Sequence, residues 1–394
     1  MKKKLIRITT ADISLDGLLK GQLRYMNQYY DVVALSNDTG CLHSVGEREG
    51  VRTIEVPMHR EIALLPDLKC LWRLYRTFRR ERPFIIHSNT PKGSLLAMIA
   101  GWLARVPHRL YTVTGLRYQG ASGLFRKILM TMERLSCAFA TKVIPEGEGV
   151  KRTLYADPVS YTQLYADRIT RKPMRVVLNG NINGIDTQHF SPAAVEATQG
   201  ADARSRMRSS LGLRPEDFAF IFIGRIVGDK GMNELAAAMR RLVREQPDCK
   251  LILVGRFESE LDPLQPENEA FLKESPAVCY VGYQQDVRLY LLAADALAFP
   301  SYREGFPNVV MQAGAMQLPA IVTDILGCNE IVEAGRNGLL IPPRDEAALY
   351  KAMLRFLQDR TLVCDLARNA RPMILSRYEQ HAVWEALREE YDRL

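Results

Sequence analysis

Glu304 lies in a polar loop that the sequence places between a strand and a short helix. The loop belongs to residues 298–323, which read as a strand end, a loop, a helix and the next strand. Pro307 suits the first position of a helix, and Pro319 predicts that this helix stops near Leu318. A single carboxylate is therefore expected beside the beginning of a helix.

The beginning of this helix is a candidate phosphate site. Free backbone N–H groups and the positive end of the helix dipole attract anions there. The residues at this position are Gly305, Phe306, Pro307 and Asn308. Gly305 lets a ligand approach the backbone, and Gln312 lies one turn beyond Asn308 on the same face. The pattern outlines a donor pocket, although an ordinary strand-to-helix connection with a solvated Glu and Arg explains it equally well.

A second loop carries two cations five residues apart. Arg225 and Lys230 follow Gly224 and a predicted strand at 218–223, so both can point into one cleft. A leaving diphosphate needs its charge neutralised, which a guanidinium and an ammonium can do. The spacing differs from that of a Walker A loop, which disfavours ATP hydrolysis. Taken alone, such a pair is more often ordinary surface charge.

The rest of the chain indicates how these loops are positioned. Its 394 residues predict two domains of about 180 residues each. Strand, turn and helix alternate throughout, which predicts an α/β fold with two parallel sheets covered on both faces. Two Asn-Gly turns within residues 179–186, followed by a polar stretch at 191–210, indicate the junction.

Three loops of the first half follow predicted strands. They span Thr10–Gly17, Ser88–Gly93 and Thr114–Tyr118. Ligands of parallel sheets bind beyond the carboxyl ends of the strands, so these loops are candidates for a second ligand. His87 ends a short apolar strand and is expected to be a packed residue rather than a catalyst.

The two halves differ in charge. Residues 1–190 hold 29 Lys and Arg against 16 Asp and Glu, a net charge of +13, whereas residues 191–394 have a net charge of −5. This asymmetry predicts an anionic partner such as a membrane surface or a lipid-linked phosphate. Nucleic acid is not expected, because no aromatic and basic readout motif is present. The basic helices expected at 67–83 and 124–139 are either solvated or face a membrane.

The seven cysteines are scattered and include no Cys-x-x-Cys pair, which indicates reduced thiols in a cytoplasm. Lys2–Lys4 are followed by no apolar segment of the kind found in signal peptides. No run of 18 apolar residues occurs. We therefore expect a cytoplasmic protein, peripheral on the inner face of the cell membrane.

The motifs in combination resemble the retaining glycosyltransferases of family 4. The second half contains Gly-Arg-x4-Lys-Gly from Gly224, Gly-Arg-Phe-Glu from Gly255, Pro-Ser-x2-Glu-Gly-x-Pro from Pro300 and Gly-Cys-Asn-Glu from Gly327. The first half adds Leu-Lys-Gly-Gln-Leu, Thr-Pro-Lys-Gly and Gly-Leu-Arg-Tyr. The resemblance covers nearly the whole chain, and it is strongest to bacterial enzymes of capsular or lipid-linked polysaccharide synthesis.

This resemblance implies roles for the candidate residues. Glu304 is expected beside the donor sugar, and Arg225 and Lys230 at the diphosphate. Gln312 stands where family members usually have a second Glu that holds the ribose, and it keeps hydrogen bonding without the charge. Thr114 replaces a histidine found in many members, so the mechanism should not depend on a histidine base. The acceptor side is expected to contain Gly17, Asn89, Lys92, Thr114 and Arg117.

The family fold is GT-B, an α/β fold of two Rossmann-like domains whose parallel sheets face each other across a cleft. The implied domains are 1–188 for the acceptor, 189–374 for the nucleotide sugar, and a helix at 375–394 that returns to the first domain. The chain lacks Asp-x-Asp, and no metal or other cofactor is expected.

The implied reaction transfers a sugar, with retention, from a UDP-sugar to an undecaprenyl-diphosphate-linked or oligosaccharide acceptor. Glu304 would stabilise oxocarbenium charge, and a phosphate oxygen would take the proton. Two alternatives stay open: a UDP-sugar 2-epimerase on the same fold, and a non-catalytic protein that binds an anionic surface or a polysaccharide.

Overall fold

The chain folds into two six-stranded parallel sheets flanked by helices. The computed structural model describes residues 2–59, 63–155, 168–260 and 262–394. Neighbouring strands of both sheets pair in parallel. Parallel neighbours require a crossover connection, and helices supply it here. The predicted α/β class is confirmed.

The structure divides into two compact units. The first comprises Met1–Gly184 and Gln380–Leu394, and the second comprises Ile185–Glu379. The boundaries expected after residues 188 and 374 fall four and five residues from these divisions. The N–H of Ile185 donates to the carbonyl of Tyr378 at 2.8 Å, and Ile185 forms a parallel bridge with Glu379. The chain therefore enters and leaves the second unit at one place.

In the described part of the first unit, six strands and seven helices precede the junction. The strands are β1 (Lys4–Ala11), β2 (Asp31–Asn37), β3 (Arg52–Glu55), β4 (Ile85–Ser88), β5 (His108–Val113) and β6 (Lys142–Pro145), in the order β3-β2-β1-β4-β5-β6. The helices are α1 (Asp12–Leu18), α2 (Gln22–Asn27), α3 (Leu42–Glu49), α4 (Leu64–Glu81), α5 (Pro91–Leu103), α6 (Gly123–Phe139) and α7 (Glu148–Tyr155). A 3₁₀ turn spans Arg117–Gly120. Buried side chains cover both faces of this sheet.

The second unit repeats this plan. Its strands are β7 (Phe218–Ile223), β8 (Cys249–Val254), β9 (Val278–Gly282), β10 (Ala296–Phe299), β11 (Ala320–Thr323) and β12 (Gly338–Ile341), in the order β12-β11-β10-β7-β8-β9. Its helices are α8 (Pro192–Gln199), α9 (Ala203–Ser210), α10 (Met232–Glu245), α11 (Pro266–Glu274), α12 (Arg288–Ala293), α13 (Asn308–Ala315), α14 (Cys328–Ile331), α15 (Glu346–Gln358) and α16 (Arg360–Tyr378). A 3₁₀ turn spans Gly228–Lys230. The last helix, α17 (Gln380–Asp392), belongs to the first unit.

The loop expected at Thr10–Gly17 is wrong, because β1 runs directly into α1. The buried carboxylate of Asp12 begins this helix and accepts hydrogen bonds from the N–H groups of Thr39 and Cys41 at 2.8 and 2.9 Å. Burial alone would raise the pKa of Asp12, but these bonds outweigh it and hold the pKa below its usual value. Gly17 consequently lies inside a helix and not in the predicted loop.

His87 is packed in the core, as predicted. Its ring nitrogens lie 2.5 Å from the hydroxyl of Tyr391 and 2.7 Å from that of Thr112. Burial, together with the charges of Arg7 and Lys142, lowers the pKa of His87 well below its usual value. A neutral imidazole thus links the first sheet to α17.

The basic helices α4 and α6 are amphipathic, but part of the apolar side of α4 faces solvent. Leu74 and Phe78 are buried, whereas Leu68 is 60% exposed, because only the second half of the helix packs its apolar side into the core. Within the described ranges, no helix combines the length and apolar character needed to cross a bilayer.

Candidate active site

The predicted donor loop connects β10 to α13 at the carboxyl edge of the second sheet. The four candidate residues 305–308 lie at the N-terminus of α13, as expected. Pro307 is the cap and not the first helical residue, because its ψ of 111° is extended. The helix ends at Ala315 rather than near Leu318, since Gln317 adopts a left-handed φ of +64°.

Glu304 is held by two side chains that contact the same carboxylate oxygen. The ammonium of Lys230 lies 2.5 Å from Oε1, and the hydroxyl of Ser301 donates to Oε1 at 2.8 Å. The side chains of Lys230 and Glu304 are each 16% exposed, so water screens this ion pair only weakly. The structure thus brings together Lys230 and Glu304, two of the three residues expected at the diphosphate and the donor sugar, and it adds Ser301.

A hydrogen bond and an ion pair connect the loops that carry Lys230 and Glu304. The N–H of Tyr302 donates to the carbonyl of Asp229 at 2.9 Å, and the guanidinium of Arg303 lies 3.0 Å from the Asp229 carboxylate. The carboxylate of Asp262 in turn accepts the N–H of Asp229 at 2.6 Å. These contacts fix the ion pair in position.

Arg225 takes a different partner from Lys230. Its guanidinium lies 3.3 Å from a carboxylate oxygen of Glu258, in the loop after β8, and it is 49% exposed. This exposed pair is weak, so Arg225 is available to a bound anion. Glu258 is the last residue of the Gly-Arg-Phe-Glu motif, whose spacing alone predicts no ion pair with Arg225.

Glycines bring the loops of this edge into close contact. A Cβ added to Gly255 would lie 1.8 Å from the carbonyl oxygen of Gly224, and Gly255 has a φ of +148°. A Cβ on Gly327 would lie 2.2 Å from the carbonyl oxygen of Gly305. Larger residues would force these backbones apart.

The side chains of Phe306 and Pro307 are buried, and Phe306 belongs to the core of the second unit. Phe306 is 6% exposed and meets the ring of Tyr378 edge to face, with the ring centroids 5.4 Å apart. Burial of Phe306 anchors the beginning of α13. Any contact of these two residues with a donor is therefore limited to their backbone.

Asn308 and Gln312 are both half-buried on α13. Among the described residues, the amide of Gln312 has no hydrogen-bond partner. A half-buried amide needs a partner, and water or a ligand hydroxyl can supply one. This arrangement suits the predicted donor contact.

The predicted acceptor-side residues fall into separate places in the first unit. The hydroxyl of Thr114 donates to the carbonyl of Asn89 at 2.8 Å, so these two residues are adjacent. The amide of Asn89 is fully buried, and neither of its polar atoms has a partner among the described residues. A Cβ on Gly17 would meet nothing within 4 Å, so no close approach within the described structure requires glycine there.

Lys92 and Arg117 line a different cavity, between the first turn of α5 and the side of α6. Lys92 is buried and pairs with Asp67 at 2.6 Å. Glu133 lines the same cavity and accepts the hydroxyl of Tyr111 at 2.7 Å. Burial raises the pKa of Glu133 to about 7. Sequence reasoning missed Glu133, because a single Glu in an amphipathic helix gives no signal of burial.

The described residues contain no group of three His, Cys, Asp or Glu side chains able to hold a metal ion. Independence from metals stays a prediction. In the second unit, positive charge comes instead from Arg225, Lys230 and the N-terminus of α13.

Each of the two units contains a segment that matches a known protein family. The profile of the family "Glycosyl transferases group 1" matches residues 217–359, and that of the "Glycosyl transferase 4-like domain" matches residues 24–164. The two matches together cover well over half of the chain. The chain belongs to the family 4 glycosyltransferases. The first match includes every candidate donor residue, and the second includes the candidate acceptor residues except Gly17.

Proteins similar to this glycosyltransferase along nearly its whole length are named as glycosyltransferases. The chain is 28% identical over 392 residues to the capsular polysaccharide biosynthesis glycosyltransferase CapM of Staphylococcus aureus, covering 99% of this chain and 97% of that protein. It is 26% identical over 388 residues to the UDP-Gal:alpha-D-GlcNAc-diphosphoundecaprenol alpha-1,3-galactosyltransferase of Escherichia coli, covering 95% and 94%. The protein is an enzyme that transfers a sugar in polysaccharide synthesis.

A solved structure confirms the expected GT-B fold of this glycosyltransferase. Anabaena Alr3699/HepE in complex with UDP superposes with a TM-score of 0.77 at 18% identity, covering 100% of both chains. The strand order of each sheet matches the doubly wound pattern expected for a Rossmann-like domain.

Proposed function

We propose that this glycosyltransferase moves a sugar from a UDP-sugar to an undecaprenyl-diphosphate-linked glycan, with retention at the anomeric carbon. The observation that carries the proposal is the cluster of Lys230, Ser301 and Glu304 beside the N-terminus of α13. It supplies a carboxylate for the sugar and positive charge for the diphosphate.

The roles follow from charge development in the transition state. As the bond from the anomeric carbon to the diphosphate oxygen breaks, that oxygen gains negative charge, which Lys230, Arg225 and the N–H groups at the start of α13 stabilise. The sugar gains oxocarbenium character, which the carboxylate of Glu304 stabilises. The acceptor hydroxyl forms the new bond on the face that the diphosphate leaves, and its proton passes to a diphosphate oxygen. No protein base is required, consistent with Thr114 in place of a histidine.

The UDP-sugar donor is supported by the relatives. The Escherichia coli relative is named for UDP-Gal, and the Anabaena structure contains UDP. The lipid-linked acceptor is supported by the diphosphoundecaprenol in the name of the same relative. The net charge of +13 in residues 1–190 is also favourable for an anionic lipid carrier.

We place the protein in the cytoplasm, peripheral on the inner face of the membrane, because the basic helices α4 and α6 expose apolar side chains. Flotation with vesicles tests this placement. Vesicles with anionic phospholipid should retain the protein and neutral vesicles should not, whereas equal retention would contradict the placement.

The proposed reaction is tested in two steps. A panel of nucleotide sugars is first screened for protection against thermal unfolding, since a bound donor stabilises the native state by mass action. The protective donor is then incubated with undecaprenyl-diphosphate-linked acceptors, with and without EDTA, and UDP release is measured. We expect UDP release that requires the acceptor and survives EDTA.

Controls separate the alternatives. Conversion of UDP-N-acetylglucosamine without an acceptor would indicate an epimerase. Donor protection without UDP release from any lipid-linked acceptor would contradict the proposed acceptor class.

A further inference from the structure

The guanidinium of Arg371 on α16 contacts three backbone carbonyls. It donates to the carbonyls of Phe190 and Thr187 at 2.7 and 2.8 Å, and it also donates to that of Ala315. Arg371 is half-buried, and among the described residues it has no carboxylate partner. Buried arginines usually pair with a carboxylate, so an arginine held by carbonyls alone requires its own explanation.

Ala315 is the last residue of α13, the helix whose N-terminus carries the candidate donor residues. The last carbonyls of a helix have no partner within it, and they form the negative end of its dipole. The guanidinium of Arg371 satisfies one of these carbonyls and places a positive charge beside the others. Because α13 has eight residues, this contact lies about 12 Å from the N–H groups at the other end of the helix.

The two other carbonyls belong to a closed turn near the beginning of the second unit. The carboxylate of Asp186 accepts the N–H groups of Gln188 and His189 at 3.1 and 2.8 Å. The N–H of Phe190 donates to the carbonyl of Asp186 at 2.9 Å. These bonds hold the turn together without any contribution from α13. Arg371 therefore connects the end of α13 to a separately braced part of the second unit.

A close contact holds α13 against α16 one residue before Ala315. A Cβ added to Gly314 would lie 2.7 Å from a side-chain carbon of Ile374, so glycine lets the two helices approach. This packing sets the distance between the helices. The hydrogen bonds of Arg371 add a restraint along the axis of α13, because such bonds weaken steeply when their length or angle changes.

We propose that Arg371 is a positioning residue for the donor, which fixes α13 along its axis so that the N–H groups at the start of this helix meet the diphosphate. The inference rests on the proposed function, and it assigns a role to a residue at the opposite end of the helix. Stabilisation of a leaving diphosphate depends on hydrogen-bond donors that are already in place, so a small displacement of these N–H groups weakens it.

The test compares UDP with uridine, which has the same base and ribose but no phosphate. Isothermal titration calorimetry measures UDP binding by the full-length protein, and ligand-observed NMR measures uridine binding. The Arg371→Met variant keeps an unbranched side chain and removes the guanidinium. It should weaken UDP binding by about fivefold and uridine binding by less than about twofold, because the diphosphate is the part that meets the start of α13. Equal weakening of both ligands would indicate a general loss of structure and overturn the proposal.

The matched control is Arg204→Met. Arg204 also donates to carbonyls at the end of a helix in the second unit, those of Leu292 and Ala294 at the end of α12, and it pairs with Asp295. No candidate donor residue lies on α12. This variant should lower the temperature of thermal unfolding and leave the ratio of UDP affinity to uridine affinity unchanged. A fall in this ratio as large as that in Arg371→Met would overturn the specific role of α13.

A conservative variant keeps the test decisive if Arg371→Met does not fold. Arg371→Lys retains the charge, but a single ammonium replaces the fork that reaches three carbonyls. The ratio of affinities should fall less in this variant, and an unchanged ratio in it would then overturn the proposal.

The same measurements separate the two possible failures. Equal binding of UDP by the wild type and by Arg371→Met would contradict the role of Arg371 and leave the proposed function intact. Absence of UDP binding by the wild type would contradict the proposed function, and the role of Arg371 with it.

Discussion

The ammonium of Lys230 lies 2.5 Å from Oε1 of Glu304, the same oxygen that accepts the hydroxyl of Ser301. Oε2 of Glu304 has no hydrogen-bond partner among the described residues. One oxygen is therefore held by the protein while the other is left for a sugar hydroxyl or for developing positive charge. A bound diphosphate would compete with Glu304 for Lys230, which links arrival of the donor to the charge on this carboxylate.

Replacing Glu304 by Gln keeps the shape of the side chain and removes its charge. We expect kcat for sugar transfer to fall by about 10²- to 10³-fold, because an electrostatic contact made to the transition state is lost. Acceptor-dependent UDP release measures the rate, and thermal unfolding checks that the variant is folded. Glu245→Gln, which removes a carboxylate bonded to Tyr350, is the matched control. A Glu304→Gln rate equal to that of the wild type would remove Glu304 from the mechanism.

Gln312→Glu restores the carboxylate that family members usually have at this position. A charged acceptor makes stronger hydrogen bonds to ribose hydroxyls, so UDP should bind about tenfold more tightly. Isothermal titration calorimetry with UDP measures the change. Weaker binding would indicate that the pocket is built around the neutral amide.

Gly255→Ala should destabilise the second unit by about 3 kcal/mol or more, because the new methyl group would overlap the carbonyl of Gly224. Urea unfolding measures the loss. Gly282→Ala is the control, since its φ of +69° is also left-handed but nothing lies within 4 Å of the added carbon. Only about 1–2 kcal/mol of strain is expected there. Equal losses in the two variants would show that the contact with Gly224 is unimportant.

Gly17→Ala should stabilise the first unit by about 0.5–1 kcal/mol, because alanine favours the helix that the structure forms there. Urea unfolding checks this, and a decrease in stability would contradict the helical assignment. The KM for the acceptor tests the acceptor-side role that the family resemblance implies for Gly17. An increase in KM in a stabilised variant would show that an acceptor needs the space left by glycine.

Glu133 should make stability fall as pH rises from about 4.5 to about 7. Its pKa in the folded protein is about 7, above the ordinary value of 4.5, so the folded state holds the proton more tightly across this interval. The favourable contribution is complete below pH 4.5 and is lost as pH passes through 7. Relative to wild type, Glu133→Gln should gain about 3 kcal/mol between pH 4.5 and pH 8. Urea unfolding across this range measures the gain, and the exposed Glu274→Gln should show none.

Local patterns predicted the strand at 218–223 with the bounds that the structure shows, because this segment is an uninterrupted apolar run. The strand β6 was missed, since Lys142–Pro145 offers only four residues and ends in proline. The helix at Asp12 was missed because its first turn is held by bonds from residues 39 and 41, which local periodicity does not reveal.

The α/β class, the family and the loops that carry Arg225, Lys230 and Glu304 could be predicted from the sequence, because they depend on motifs whose residues lie close together in the chain. Which candidate residues meet depends on the tertiary structure. Lys230 and Glu304 are 74 residues apart and become neighbours because β7 and β10 pair in parallel and end at one edge. Lys92 and Arg117 came to share a cavity with Glu133 for the same reason. The spacing of residues along the chain predicts a helix or strand and which of its side chains share a face. Contacts between helices and strands depend instead on the order of the strands in the sheet.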